Sequence, residues 1–231
     1  NALIEEIVVV GYGVQKKSDL TGSVGTVKSK DIERIPTASV DQALQGKIAG
    51  VYVTPASGEP GAGGTVRIRG TGTLNDANPL YVVDGMLLDN ASFVNPQDVQ
   101  SIEVLKDASA TAMYGNRGAN GVIIITTKKG SKDRKAVFNL NTSYGIQQID
   151  RYLPLSNAAQ FAQLYTESTG DTTRFPDPAA LGEGTNWQDV IFRDAPMANV
   201  QLSVNGSWKK LQYNLSGNYF NQQGIVEETG F

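Results

Sequence analysis

Neither cysteine nor histidine occurs anywhere in the 231 residues. The first absence excludes disulfide frameworks and thiolate nucleophiles, and the second excludes His-based acid–base catalysis. Together they remove the ordinary zinc sites. No run approaches the ~18 consecutive apolar residues of a membrane-spanning helix. An excess of positive charge is lacking too: the formal net charge is −3, which gives no reason to expect nucleic acid as a partner. No secretory leader is visible at Asn1, so an exported protein would begin here at a processed or engineered residue.

What is present divides in two. Residues 1–132 carry 13 basic and 13 acidic side chains but 5 aromatics, whereas residues 133–231 carry 7 basic, 10 acidic and 13 aromatic ones. The regimes meet near Lys128–Lys135, a basic stretch containing Gly and Ser that reads as a domain boundary. The first part predicts a compact α+β unit. Ile7–Val10 is a β-branched strand ended by Gly11 and Gly13, and Val24–Lys28 alternates weakly. Ser29–Pro36 predicts a short helix stopped by proline, and Ser39 with Gln42 fits a capping box for a helix from Val40 to Ile48. Strands are expected at Val51–Thr54, Thr65–Arg69 and Leu80–Asp84, between loops rich in Gly, Pro and Asn.

The most informative run spans Asp98–Gly130: a strand through Val104 and Leu105, a short Ala-rich helix, a bend at Gly115 and a second strand. Asp107 is placed to cap the helix, and Gly115 to end it. Val122–Ile125 is a continuous β-branched run of the kind buried on both faces.

Beyond residue 135 a period of two takes over. Phe138, Leu140, Thr142, Tyr144 and Ile146 alternate with Asn139, Asn141, Ser143, Gly145 and Gln147. Val200–Trp208 and Leu211–Tyr219 alternate in the same way, each with a face of Asn, Ser and Gln. Two readings fit: a soluble sheet with one wet face, or staves of about ten residues crossing a bilayer. Trp208-Lys209-Lys210-Leu211 allows only a tight hairpin, whereas residues 148–199 form a long connection with helix patterns at 157–167 and 187–192. In a barrel that asymmetry turns the Lys209 end towards the periplasm and the long connection outward.

Several chemical readings fail on the residues. After Gly11 and Gly13, Lys16 stands where a dinucleotide fingerprint needs glycine, and Gly64 stands where a phosphate loop needs lysine. Asp76, Asp84 and Asp89 lack calcium-loop spacing and suit turns. Tyr152, Tyr165 and Trp187 could stack on sugars, with packing as the commoner role. No catalytic constellation or cofactor motif is present, so the chain is read as not an enzyme.

Four segments, in order, carry a family resemblance: Glu6–Gly13, Val66-Arg67-Ile68-Arg69-Gly70, Asn78–Gly85 and Asp98–Gly130. Together they resemble the plug of TonB-dependent outer-membrane transporters, most closely the SusC/RagA-like branch. The resemblance implies a Ton box and linker at 1–14, a mixed-sheet plug at 15–132, and the first three strands of a transmembrane β-barrel with one long outer loop at 133–231. It implies that Glu6, Ile7, Val8, Val9 and Val10 bind TonB, and that Arg67, Arg69 and Arg117 make plug–barrel contacts. Ser57, Gly58, Gly61, Thr71, Asn75 and Asn78 would face the substrate. The implied function is import of oligosaccharides or peptides across the outer membrane of a Gram-negative bacterium, with a SusD-like surface lipoprotein as second partner and no cofactor. The alternatives are a secreted carbohydrate-binding module of mixed α+β fold and a TonB-dependent signalling receptor. Phe231 falls in mid-pattern, so the chain is expected to be the N-terminal part of a longer protein; three strands alone would have to stay soluble or refold.

Overall fold

Short β-branched runs need partners for their backbone groups, and the chain supplies them almost entirely from its own first 130 residues. The structure is a computed structural model, and it describes residues 7–10, 13–16, 24–33, 37–73, 76–130, 135–208 and 211–230. Ile7–Val10 (β1) pairs antiparallel with Gly13–Lys16 (β2) as a two-stranded ribbon. Val24–Lys28 (β3) leads through Ser29–Ile32 (α1) and Val40–Leu44 (α2) to a second ribbon, Val51–Pro55 (β4) with Gly64–Ile68 (β5). Leu80–Val83 (β6), Met86–Leu88 (β7), Val99–Leu105 (β8), Ala108–Thr111 (α3) and Val122–Thr127 (β9) follow.

β3, β8, β9, β6 and β7 form one sheet in that order, parallel between β6 and β9 and antiparallel elsewhere. β9 lies at its centre, and Val122–Ile125 are buried on both faces, as their unbroken β-branched run requires. One face packs Ile102, Val104, Ile123 and Ile125 against Leu44, Val40, Val66 and Ile68 from α2 and β5. The other packs Leu80, Val82, Leu105, Val122 and Ile124 beneath α3 and Tyr114.

Three local expectations are corrected. The Ser39 hydroxyl does accept from the Gln42 N–H (3.3 Å), but the Gln42 amide donates to the Ala62 carbonyl instead of closing the box, and the helix stops at Leu44 rather than Ile48. Asp107 occupies the N-cap of α3 without a side-chain cap bond, because its carboxylate pairs with Arg69. β7 is an extra strand, formed because Asp84 (φ 48°) and Gly85 (φ 90°) make the left-handed two-residue hairpin that Asp-Gly favours.

The remaining strands build a separate sheet. Val137–Gln147 (β10), Ala195–Trp208 (β11) and Leu211–Gln222 (β12) pair antiparallel without a bulge, with Leu140 opposite Leu202 and Leu202 opposite Gly217. Between β10 and β11 lie Ala158–Thr169 (α4), which carries the full capping box of Asn157 and Gln160, and Trp187–Ile191 (α5). The sheet order β10-β11-β12 leaves both outer edges unpaired among the described residues.

Candidate functional site

A sheet in a water-soluble protein turns its apolar side inward. This one does the reverse. Phe138 (72% exposed), Leu140, Tyr144 (74%), Leu202, Leu215 and Tyr219 stand on the outer face, and the opposite face carries Asn141, Asn199, Gln201, Ser203, Ser216 and Asn218. Gln201 is 2% exposed because the mixed-sheet unit lies against that polar face.

Asp98 is the centre of the contact. Its two carboxylate oxygens accept from the Gln201 amide at 2.9 Å and from the Ser216 hydroxyl at 2.7 Å. Asp98 is presented by the 3₁₀ turn Pro96–Asp98, which the Asn95 side chain caps. Behind it Lys128 donates to Glu33 (2.5 Å) and to the Gln97 carbonyl (2.7 Å), fixing the same corner to β9 and α1. The unit also spans the sheet from end to end. A Cβ at Gly130 would fall 2.6 Å from the backbone of Tyr213, near the tight-turn end, and one at Gly224 would fall 3.2 Å from Pro60, at the end where residues 148–194 emerge.

The three arginines do not converge. Arg69 (φ 57°) ion-pairs with Asp107, Arg117 reaches Asp89 at 3.2 Å, and Arg67 donates to Asn78 Oδ1 at 2.7 Å. Each is therefore held within the mixed-sheet unit, and the side chains of Arg69 and Arg117 remain about half exposed. Of the expected substrate-side residues, Ser57 accepts from the Glu59 N–H, Gly61 takes φ 72°, Thr71 is exposed and Asn78 is tied to Arg67 and Asn120. Asn75 and Glu6 lie outside the described residues. Ile7–Val10 pair antiparallel with Gly13–Lys16 in the β1–β2 ribbon.

Three carboxylates escaped the sequence reading. Asp98 carried no local signal, since its partners are more than a hundred residues away. Asp41, on α2, accepts from the Tyr81 hydroxyl at 2.7 Å; burial pushes its carboxyl above the usual range, with the Tyr81 bond pulling the other way. Glu103 did carry a signal, a lone charge inside the apolar run Ile102–Leu105. It is 3% exposed, and burial raises its carboxyl, partly offset by the Ser101 hydroxyl and its own backbone.

The long connection forms a lobe with a cavity of about 680 Å³ lined by Leu153, Leu155, Asn157, Phe161, Trp187 and Gln188. Tyr165 packs on Phe175 and under Arg174; Tyr152 packs edge-on against Phe192 and, like Trp187, which is 69% exposed, also lines the cavity.

Residues 16–122 match the family described as the TonB-dependent receptor plug domain. The chain is similar to TonB-dependent receptor P3 of Formosa agariphila, 48% identical over 228 residues, covering 96% of this chain and 22% of that protein. It is likewise similar to TonB-dependent receptor SusC of Bacteroides thetaiotaomicron, 40% identical over 240 residues, covering 99% and 24%. Among solved structures, the RagAB peptide importer in its open-open state superposes with a TM-score of 0.82 at 35% identity, over 97% of this chain and 29% of that one. The chain thus spans about a quarter of the length of the relatives it matches.

Proposed function

The chain belongs to the TonB-dependent receptors of the SusC/RagA-like kind, and from that premise we propose that it is the gating part of an outer-membrane importer of large nutrients. Residues 15–132 serve as the plug and residues 133–231 as the first stretch of barrel wall, with residues 1–14 as the tether to TonB. The single observation that carries this reading is the reversed sheet: an apolar face turned outward and a polar face that meets the plug at Asp98, where Gln201 is buried and Ser216 adds a second bond. An apolar patch of this extent marks a membrane or partner surface, and on staves of this length with a polar opposite face it fits lipid. A secreted carbohydrate-binding module would need the opposite orientation and gives way to it.

In mechanism the protein is a gate, not a catalyst. β1 pairs with β2 along one edge, and its other edge would add as a strand to a partner sheet, main-chain hydrogen bonds supplying the attachment. Tension on Glu6–Val10 would then be passed into the plug and remodel it. The arginines Arg67, Arg69 and Arg117 would meet barrel-wall groups, and the loops 57–64 and 70–79 would face incoming substrate; the closeness of Pro60 to the Gly224 turn, at the lobe end of the sheet, supports the second assignment. A SusD-like lipoprotein would cover the outer end. Oligosaccharides and peptides are both within the proposed cargo. The test is deletion of residues 6–10 in the full-length receptor. Barrel assembly should persist, while TonB binding and energised uptake are lost; uptake at the undeleted rate would refute the proposal.

A further inference from the structure

β3 is the first regular strand of the plug sheet downstream of the tether, and it sits at the sheet's edge, bonded among the described residues only to β8. Its side chains anchor it less than those of the central strand do, although Val24 packs on the core and Gly25 lies against Ile48. Val27 is its one fully buried side chain, against the four successive ones of β9. On the opposite face of the strand Thr26 pairs directly across from Glu103. There the Thr26 Oγ1 and the Glu103 Oε2 are both buried and make no hydrogen bond among the described residues. Their neighbours on that face are Ser101, whose hydroxyl partly offsets the burial of Glu103, and the apolar Ile124 of β9 and, beyond it, Val82 of β6. The nearest charged or titratable groups by register are Lys28 on β3, Asp84 after β6 and Lys128 after β9, with Tyr114 from the turn above the sheet. Asp84 is engaged with Thr127, and Lys128 with Glu33.

We propose that β3 is the catch of the gate: it covers a carboxylate that the closed plug leaves half satisfied, and it lifts from β8 before the rest of the sheet yields. Tension from the tether reaches the Val24–Leu105 pair first, then Thr26–Glu103, then Lys28–Ser101. Lifting the strand past its middle admits water to Glu103, and the solvated carboxylate opposes re-closure because burying an unpaired charge is costly. The peeling stops at α1, where Ile32 is 2% exposed and Glu33 is bridged to Lys128. The catch is consequently pH-dependent. Glu103 is raised in the closed plug and ordinary once exposed, so closure is favoured below the ordinary carboxylate range and loses that support as pH climbs through the raised value.

The inference relies on the gating reading for its use, and the experiment needs neither TonB nor cargo, so the two fail separately. Hydrogen exchange is followed in the full-length receptor in outer-membrane vesicles over residues 24–28, with residues 122–127 as internal reference. Corrected for intrinsic exchange, protection of β3 should fall from pH 5 to pH 8 while β9 stays level. Glu103→Gln should abolish that fall, and Thr26→Val, which removes the buried hydroxyl, should raise β3 protection while keeping the pH slope. A slope that survives Glu103→Gln, or a β3 loosened at pH 8 by that substitution, would overturn the proposal, the latter because it would mean the charge is paired in the closed state.

Discussion

Asp98 binds the plug to the strand sheet with both of its carboxylate oxygens, and this makes it the residue whose loss should be felt most directly at their contact. Asp98→Ala removes two charge-assisted bonds, one of them from the buried Gln201, whose amide is then left without that partner. We expect roughly 1–3 kcal/mol less resistance to urea for plug displacement, while Asp98→Asn retains an acceptor and loses less. Asp41 gives a prediction with a defined pH sense. Its carboxyl is raised in the fold, so its burial is tolerated in acid and becomes a burden as pH rises through that raised value. Asp41→Asn preserves an acceptor for Tyr81, so thermal melts should show stabilisation at pH 8 and none at pH 4; Tyr81→Phe should destabilise by about 1–3 kcal/mol. Gly121 sits at φ 92° with Ile68 Cδ1 2.6 Å from where a Cβ would stand. Gly121→Ala meets both the backbone and the packing penalty and should cost roughly 1–3 kcal/mol in the same melts.

Elements were legible to very different degrees, and the reason is range. The period of two in β10, β11 and β12 is a local property, so the strands and their apolar sides could be read directly, as could the helix pattern at 157–167 that became α4. Which side faces out was not local. Alternation alone fits a wet sheet or a lipid-facing one; the burial of Gln201 against Asp98 shows that the polar side meets the plug, which supports the second reading. Side chains with two possible partners were misjudged for the same reason: Asp107 left its cap for Arg69, and Gln42 left its box for Ala62. The β6–β7 hairpin was missed although Asp84-Gly85 between apolar runs announces it. At this scale the sheet predicts an asymmetric response to charge. Leu202→Arg on the outer face should cost about 2–4 kcal/mol at mid-bilayer and block assembly of the full-length receptor, read by heat-modifiable gel mobility. Ser203→Arg, one residue on and facing the polar side, should assemble.

At the scale of the whole molecule, the two sheets have opposite polarities and one contact reconciles them. The mixed sheet hides its apolar residues on both faces, so it is stable as a plug; the three-stranded sheet buries Asn199 and Gln201 of its polar face, turns its apolar face out and, among the described residues, leaves both edges open. Open edges are not tolerated in hydrocarbon, so β10 and β12 require further strands as neighbours in the membrane. These 231 residues contain no cysteine, so a cysteine introduced here has no competing thiol within this region. The decisive measurement places a fluorophore in turn at residues 140, 202 and 219 and at residues 141, 201 and 218 of the full-length receptor in lipid containing a nitroxide quencher. Strong quenching at the first three positions and weak quenching at the second three is the predicted result; equal quenching of both sets, or the reverse pattern, would contradict a wall whose apolar side meets lipid and whose polar side holds the plug.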